Sequence, residues 1–267
     1  EIGQNAGYSG PIREISSESN PSMKLFRDLL GGKGIKKHRQ ALFSGSRVVS
    51  EVLEHHPSRL AGWISTADGP PPPEIVPEGL PWFRLSEPLF REIDVAGTHA
   101  PLALVHVPDL EPWTDETDWP DGCSLFVPFQ DPENVGAVLR SAAAFGVSRV
   151  ILLREAANPF HPKSVRAGGS SILTLKLLRG PSITDLQTSQ IPLIALSAEG
   201  SALDDQPWPD RFGLVVGIEG PGLPDHLRSG PCRRVPIDPK VESLNASTAA
   251  AIALYAWTQS RRSLSNS

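Results

Sequence analysis

The chain has 267 residues, long for one small domain and sufficient for two. It is 39% hydrophobic and 21% charged, enough for packed cores, yet no apolar run approaches the roughly 20 residues that span a bilayer. A formal net charge of −5 excludes an overall basic footprint, so any nucleic-acid role must rest on a local patch. The two cysteines, Cys123 and Cys232, are too few for a disulfide framework and predict a reducing, cytoplasmic setting. The polar opening shows no signal-peptide pattern, and a start on Glu1 is expected of a processed or trimmed chain.

Residues 1–22 are rich in Gly, Ser and Asn and read as an extended N-terminal extension. Met23 to Leu30 has the spacing of a short amphipathic helix ended by Gly31-Gly32. Lys24 to Arg39 is a basic run (Lys24, Arg27, Lys33, Lys36, Lys37, Arg39) whose only acid is Asp28. From charge alone it reads first as a solvated face, and second as a grip for phosphates. Arg47 to His56 predicts a helix, Leu60 to Ser65 a strand, and Pro70 to Pro73 a stiff loop. Trp82–Leu85 and Leu102–Val107 predict strands, with a helix over Glu87–Ile93 between them. These elements make a small α/β module over 23–108. Asp109 to Gly122, rich in acids, Pro and Trp, reads as a linker that Trp113 and Trp119 anchor to one of the domains.

The second half, 123–267, changes character. Cys123–Phe129 is an apolar strand, Val135–Phe145 a helix stopped by Gly146, and Arg149–Leu153 a buried-type strand. A short helix is expected near Lys163–Ala167. Strands follow at Leu193–Ser197, Phe212–Ile218 and Arg233–Ile237, and a terminal helix covers Ala246–Arg261. Strands alternating with helices predict a parallel sheet with α/β crossovers.

Three motifs carry chemistry. In Asp131-Pro132-Glu133-Asn134-Val135-Gly136, an Asn sits at a strand-to-helix turn and Arg140 follows six residues on. In Gly217-Ile218-Glu219-Gly220-Pro221-Gly222, an apolar strand runs into glycines that leave backbone donors and acceptors uncovered around one acid. This is neither a dinucleotide fingerprint nor a P-loop. In Val241-Glu242-Ser243-Leu244-Asn245-Ala246-Ser247, an acid, two hydroxyls and a carboxamide open into the last helix, where orphan N–H groups favour polar ligand atoms. The His residues are scattered, and no His/Cys set has metal-ligand spacing, so no metal is expected.

In this order the motifs resemble the SpoU/TrmH branch of the SPOUT RNA methyltransferases. Ile15-Ser16, Asn20-Pro21, Leu25, Leu29 and Ser44-Gly45-Ser46-Arg47-Val48-Val49 resemble the N-terminal substrate-binding domain often joined to it. The resemblance implies a C-terminal α/β domain with a trefoil knot, a ribosomal-protein-like RNA-binding module, and a homodimer whose active site borrows from both subunits. It implies transfer of a methyl group from S-adenosylmethionine to a ribose 2′-hydroxyl of ribosomal or transfer RNA. Asn134, Arg140, Glu219, Ser243 and Asn245 then fall on the family's catalytic positions. Gly217, Val235, Leu244 and Ser197 fall on its cofactor positions, and Arg166 on a stretch near the RNA. The basic residues Lys24, Lys36, Lys37, Arg39 and Arg47 become candidate RNA contacts. Ile218 stands where the family often has Asn, Pro239 where Gly is common, and Ser44 where Glu is common.

Arg140 falls on the position suspected to be the family's base. Deprotonating an Arg of pKa ~12.5–13.8 at pH 7 costs roughly 7–9 kcal/mol. The milder expectation is that it contacts the target phosphate and stabilises the developing alkoxide. Glu242 is expected either to orient Arg140 or to be solvated. A non-catalytic RNA-binding protein of the same fold, and a sister enzyme that methylates a base, are the alternatives.

Overall fold

The computed structural model describes residues 8–115, 119–188, 190–218 and 220–265. In chain order the elements are β1 (Ile12–Ile15), α1 (Pro21–Asp28), α2 (Gly32–His38), β2 (Gln40–Phe43), α3 (Ser46–His55), β3 (Leu60–Thr66), β4 (Trp82–Leu85), α4 (Glu87–Ile93) and β5 (Leu102–His106). There follow β6 (Glu111–Pro112), β7 (Gly122–Val127), α5 (Pro132–Ala144), β8 (Arg149–Leu152), α6 (Pro162–Gly168) and β9 (Leu177–Arg179). The chain continues with β10 (Leu193–Ala202), β11 (Arg211–Val215), α7 (Asp225–Arg228), β12 (Cys232–Arg234) and α8 (Ala246–Ser265). They form two compact units, one of residues up to Asp109 with Asn158–Leu173, the other of Leu110–Ala157 with Thr174–Ser267.

The first unit is built on a mixed sheet in the order β1-β4-β3-β5-β2. Strands β1, β4 and β3 are parallel, and β5 and β2 antiparallel to their neighbours. Phe26 of α1 meets Phe83 of β4 edge to face at 5.2 Å, and the buried Trp82 indole N–H donates to Ser65 Oγ at 2.9 Å. That bond lets a large ring enter the core without an orphaned donor.

Two features depart from the sequence reading. Residues 12–15 lie not in a loose extension but in the edge strand β1, where Ile15 is buried. The Gly31-Gly32 stop ends α1, but the basic run after it is itself helical, α2. Gly34 explains this: a Cβ there would lie 1.9 Å from the Asp28 carbonyl oxygen, so only glycine lets α2 pack backbone-close on the end of α1. His38 Nε2 meets Asp28 Oδ2 at 2.9 Å and holds the last turn.

Helix α6 joins this unit although it follows β8 in the chain. Its cap is His161, whose Nδ1 accepts from the Lys163 N–H at 3.2 Å. Only an unprotonated nitrogen can accept, and burial, then the Lys163 charge, push the imidazole below its ordinary value. A group depressed on folding contributes stability that is whole at neutral pH and lost as pH falls through the folded value. Amide exchange at Lys163 and Ser164 is therefore expected to accelerate, beyond the intrinsic rate, as pH falls below about 6.5; protection constant down to acid pH would contradict this cap.

The second unit holds a seven-stranded sheet in the order β12-β10-β11-β7-β8-β9-β6, in which every pairing is parallel. Asp131 caps α5 by accepting from Glu133 N–H at 2.9 Å, with Pro132 at the first helical position. Gly146, at φ +67°, ends it in the left-handed region. Helix α8 buries Ala250, Ala253, Leu254 and Trp257, the last edge-on to Phe212 at 5.8 Å. The stretch read as a linker is anchored here. Residues 111–112 pair with β9, and Trp113 and Trp119 pack on Phe126. The Arg149 guanidinium lies 4.3 Å from the Trp119 ring. Among the described residues no helix is long and apolar enough to cross a membrane.

Candidate active site

Because all strands of the second sheet run in the same direction, the loops that follow them emerge at one edge. Ligands of open α/β sheets bind beyond that carboxyl edge. α5 follows β7 there, the Gly217 loop follows β11, and the run ending at Asn245 follows β12. The three motifs are far apart in sequence; the topology places all of them beyond these strand ends.

Asn134, in the first turn of α5, and Asn245, before α8, are bridged. Asn245 Nδ2 donates to Asn134 Oδ1 at 3.0 Å. Asn245 Oδ1 accepts from the N–H groups of Ser247 at 2.9 Å and Thr248 at 3.2 Å, so it caps α8 as well. The Ser247 hydroxyl lies 2.6 Å from Asn245 Oδ1 and 3.3 Å from Asn134 Oδ1. With one proton, it serves the nearer oxygen first. Ser247 is the second hydroxyl of the run read from the sequence, and the structure adds it to Ser243 and Asn245, the members of that run expected at the site.

The glycine loop closes on itself. Ile218 N–H donates to Gly222 O at 3.1 Å and Gly222 N–H to Ile218 O at 2.8 Å. Gly220 and Gly222 have φ of +88° and +75°, which side chains rarely tolerate, and among the described residues, chain neighbours aside, nothing lies within 4 Å of where either Cβ would stand. A Cβ on Gly217 would come within 3.1 Å of the Gly222 carbonyl carbon. The loop therefore presents bare backbone. Glu219 lies outside the described residues.

Val235 and Leu244 are half-buried beyond β12. Ser197 is half-buried on β10, accepts from Glu199 N–H at 3.3 Å, and lines a cavity of about 550 Å³ with Gly200, Cys232 and Arg233. Arg233 is buried, lies 3.9 Å from the Trp208 ring, and donates to the carbonyls of Leu203 at 3.0 Å and Pro207 at 2.8 Å. Burial lowers its pKa, and the two carbonyls give its charge a polar setting. It fixes the crossover into β11 against the strand that leads to Val235.

Ser243, Glu242 and Arg140 are exposed. Arg140 stands about 120° around α5 from Asn134, six residues at 3.6 per turn. The structure does not bring it to the Asn134–Asn245 bridge. No ion pair among the described residues joins it to Glu242. Lys24, Lys36, Lys37, Arg39, Arg47 and Arg166 are all exposed and all in the first unit. Among the described residues no group of His, Cys, Asp and Glu could hold a metal ion.

The sequence profile described as the SpoU rRNA Methylase family matches residues 125–255. Residues 125–255, just under half of the chain, are the part that matches this family. A "Ribosomal RNA small subunit methyltransferase G 2" of Syntrophobacter fumaroxidans is 49% identical over 249 residues, 93% of this chain. The chain spans only 50% of that relative, so the relative's name describes a longer protein. The "23S rRNA (guanosine(2553)-2'-O)-methyltransferase RlmP" of Bacillus subtilis is 28% identical over 251 residues, 91% of this chain and 98% of that one. The SpoU methyltransferase AviRb of Streptomyces viridochromogenes, solved with AdoMet, superposes with a TM-score of 0.76 at 22% identity, covering 91% of this chain and 99% of its own. That likeness is one of fold, and it extends beyond the SpoU segment to nearly the whole chain.

Proposed function

We propose that this protein is an S-adenosylmethionine-dependent methyltransferase that modifies a ribose 2′-hydroxyl in ribosomal RNA. The observation that carries this reading is the convergence of the three family motifs at one edge of the parallel sheet, with Asn134 bridged to Asn245. The Bacillus subtilis relative, matched over nearly its whole length and named as a 2′-O-methyltransferase of 23S rRNA, supports both the acceptor atom and the RNA class.

The residues present fit the cofactor. The open, side-chain-free ground at Gly220 and Gly222 suits a flat, edge-rich base. Gly217, Val235, Leu244 and Ser197 would hold it, and Arg233 would keep two of these segments in register. Bound there, S-adenosylmethionine supplies an electrophilic methyl group. The protein's own share is placement and electrostatics. Arg140 would grip the target phosphate and stabilise negative charge as it develops on the 2′-oxygen, with the proton leaving late or through water. Asn134, Asn245 and Ser243 would fix the surroundings of that oxygen, and Glu219 the cofactor loop.

Within one chain Arg140 lies about 120° around α5 from Asn134, and among the described residues no hydrogen bond joins it to the bridge. This supports a homodimer in which Arg140 completes the site of the second copy; the knot that the family resemblance implies for the C-terminal segment belongs to the same proposal. Phe145, the residue that follows α5, and the half-exposed Tyr255 of α8, their ring centroids 6.1 Å apart, offer an apolar face for such a pairing. The test is transfer of labelled methyl from S-adenosylmethionine to ribosomal RNA that lacks the modification. Label in RNA is expected; cofactor binding without label on any ribosomal RNA or its precursors would contradict the reading, and absence of both would favour a non-catalytic RNA binder.

A further inference from the structure

Residues 29–50 contain no acid, and neither do residues 156–184, in a chain of 30 acidic residues. The first stretch carries Lys33, Lys36, Lys37, Arg39 and Arg47, and the second Lys163 and Arg166, all exposed. Over a hundred positions apart in sequence, the first stretch and the Asn158–Leu173 part of the second meet within the first unit. Asn158 Nδ2 donates to Gly32 O at 3.4 Å, at the first residue of α2. The Asn158 side chain lies 3.1 Å from where a Cβ of Gly32 would stand, so a side chain there would push the segment away. At the far end of the segment, Glu51 of α3 accepts from Ser170 Oγ at 2.9 Å while Arg47 Nε donates to the same carboxylate at 2.8 Å. Asn158 also shapes the turn that leads into α6, accepting from Phe160 N–H at 2.8 Å and, through its carbonyl, from Ser164 Oγ at 3.0 Å.

The spacing on each helix matters. Lys33 with Lys36 and Lys37, and Lys163 with Arg166, stand three or four positions apart, so each set shares one helix face. Lys37 faces Asp28 at 3.9 Å, Arg39 faces Asp109 at 3.7 Å and Arg47 pairs with Glu51, while among the described residues no ion pair engages Lys33, Lys36, Lys163 or Arg166. Exposed like charges gathered in this way favour a polyanion.

We propose that α2, the start of α3 and α6 form one continuous surface for an RNA sugar–phosphate backbone. Asn158 and Glu51 are positioning residues that hold α6 in it. This rests on the reading of the protein as an RNA methyltransferase, and it extends that reading to Lys33 and Lys163 and to the contacts that assemble the surface.

The experiment is RNA binding as a function of salt, between about 50 and 200 mM, where log K falls with a slope of roughly 0.7–0.9 per phosphate neutralised. A ribosomal RNA transcript that accepts methyl groups is the probe, and methyl transfer at saturating RNA is followed in parallel. Lys163→Ala with Arg166→Ala is expected to reduce the slope by up to about 1.4–1.8, and Lys33→Ala, Lys36→Ala and Lys37→Ala together to reduce it as well. Asn158→Ala with Ser170→Ala is expected to lower the slope too, although it removes no charge, while transfer at saturating RNA persists. A slope unmoved by the Lys163/Arg166 pair, when the α2 triple lowers it, would remove α6 from the surface. A slope unmoved by the Asn158/Ser170 pair would overturn the positioning role. Because the Lys and Arg variants alter exposed side chains, folding is not at stake in them. Wild-type protein that methylates RNA with a flat salt dependence would overturn this proposal alone, whereas no transfer to any RNA would overturn the functional reading beneath it.

Discussion

Arg140→Ala is expected to lower kcat/KM for methyl transfer about 10²–10³-fold, the usual loss when one charge-stabilising donor is removed, with the affinity for S-adenosylmethionine unchanged. Arg140 is exposed on α5 and no described ion pair commits its guanidinium elsewhere. Its planar fork can make two parallel bonds to a phosphate, and its charge can follow the oxygen that becomes negative. Arg140→Lys keeps the charge and loses the fork, so it is expected to fall between wild type and Ala, with weakened RNA binding. Steady-state kinetics with cofactor titration by calorimetry would check this. Full turnover and unaltered RNA affinity in the Lys variant would remove both the base and the phosphate role.

The second large effect is at Asn245, which does two things at once. Asn245→Ala removes the cap of α8 and should cost roughly 0.5–2 kcal/mol, lowering Tm by about 2–4 °C for each kcal/mol in a protein of this size. It also removes the Asn245 Nδ2 donor from Asn134 Oδ1. Asn245→Asp separates the two roles. A carboxylate still accepts from Ser247 and Thr248 N–H, and a negative charge suits a helix N-terminus, so the melting temperature should be kept. It can no longer donate to Asn134 Oδ1, so turnover should fall about tenfold, the worth of one lost hydrogen bond to a positioned group. Equal melting temperatures for the Ala and Asp variants would contradict the cap. Undiminished turnover in the Asp variant would contradict a catalytic role for the bridge.

Local pattern was readable where one residue type decides the outcome. The alternation of Trp82–Leu85 and the apolar spacing of Glu87–Ile93 predict β4 and α4 with the bounds observed. Gly146 ends α5 because only a left-handed residue satisfies the last carbonyls. Reading failed where a distant partner decides. Gly32 and Gly34 look like helix breakers, and only the Asp28 carbonyl pressed against Gly34 and the Asn158 side chain against Gly32 show why α2 needs them. The return of Asn158–Leu173 to the first unit depends on Gly32 and Glu51, and nothing within the segment announces it. At the candidate site, the residue types at Asn134, the glycine loop and Asn245 were legible, as was the positive φ of Gly220 and Gly222. The Asn134–Asn245 bridge was not, because it spans 111 positions and depends on the order in which the parallel strands lie.

The most direct test of the central claim is the chemical position of the methyl group. Ribosomal RNA lacking the modification would be labelled with methyl from S-adenosylmethionine and hydrolysed in alkali. A 2′-O-methyl group blocks the oxygen that attacks the neighbouring phosphate, so the label is expected in an alkali-resistant dinucleotide. Label released only in mononucleotides would place the methyl group on a base and contradict the account.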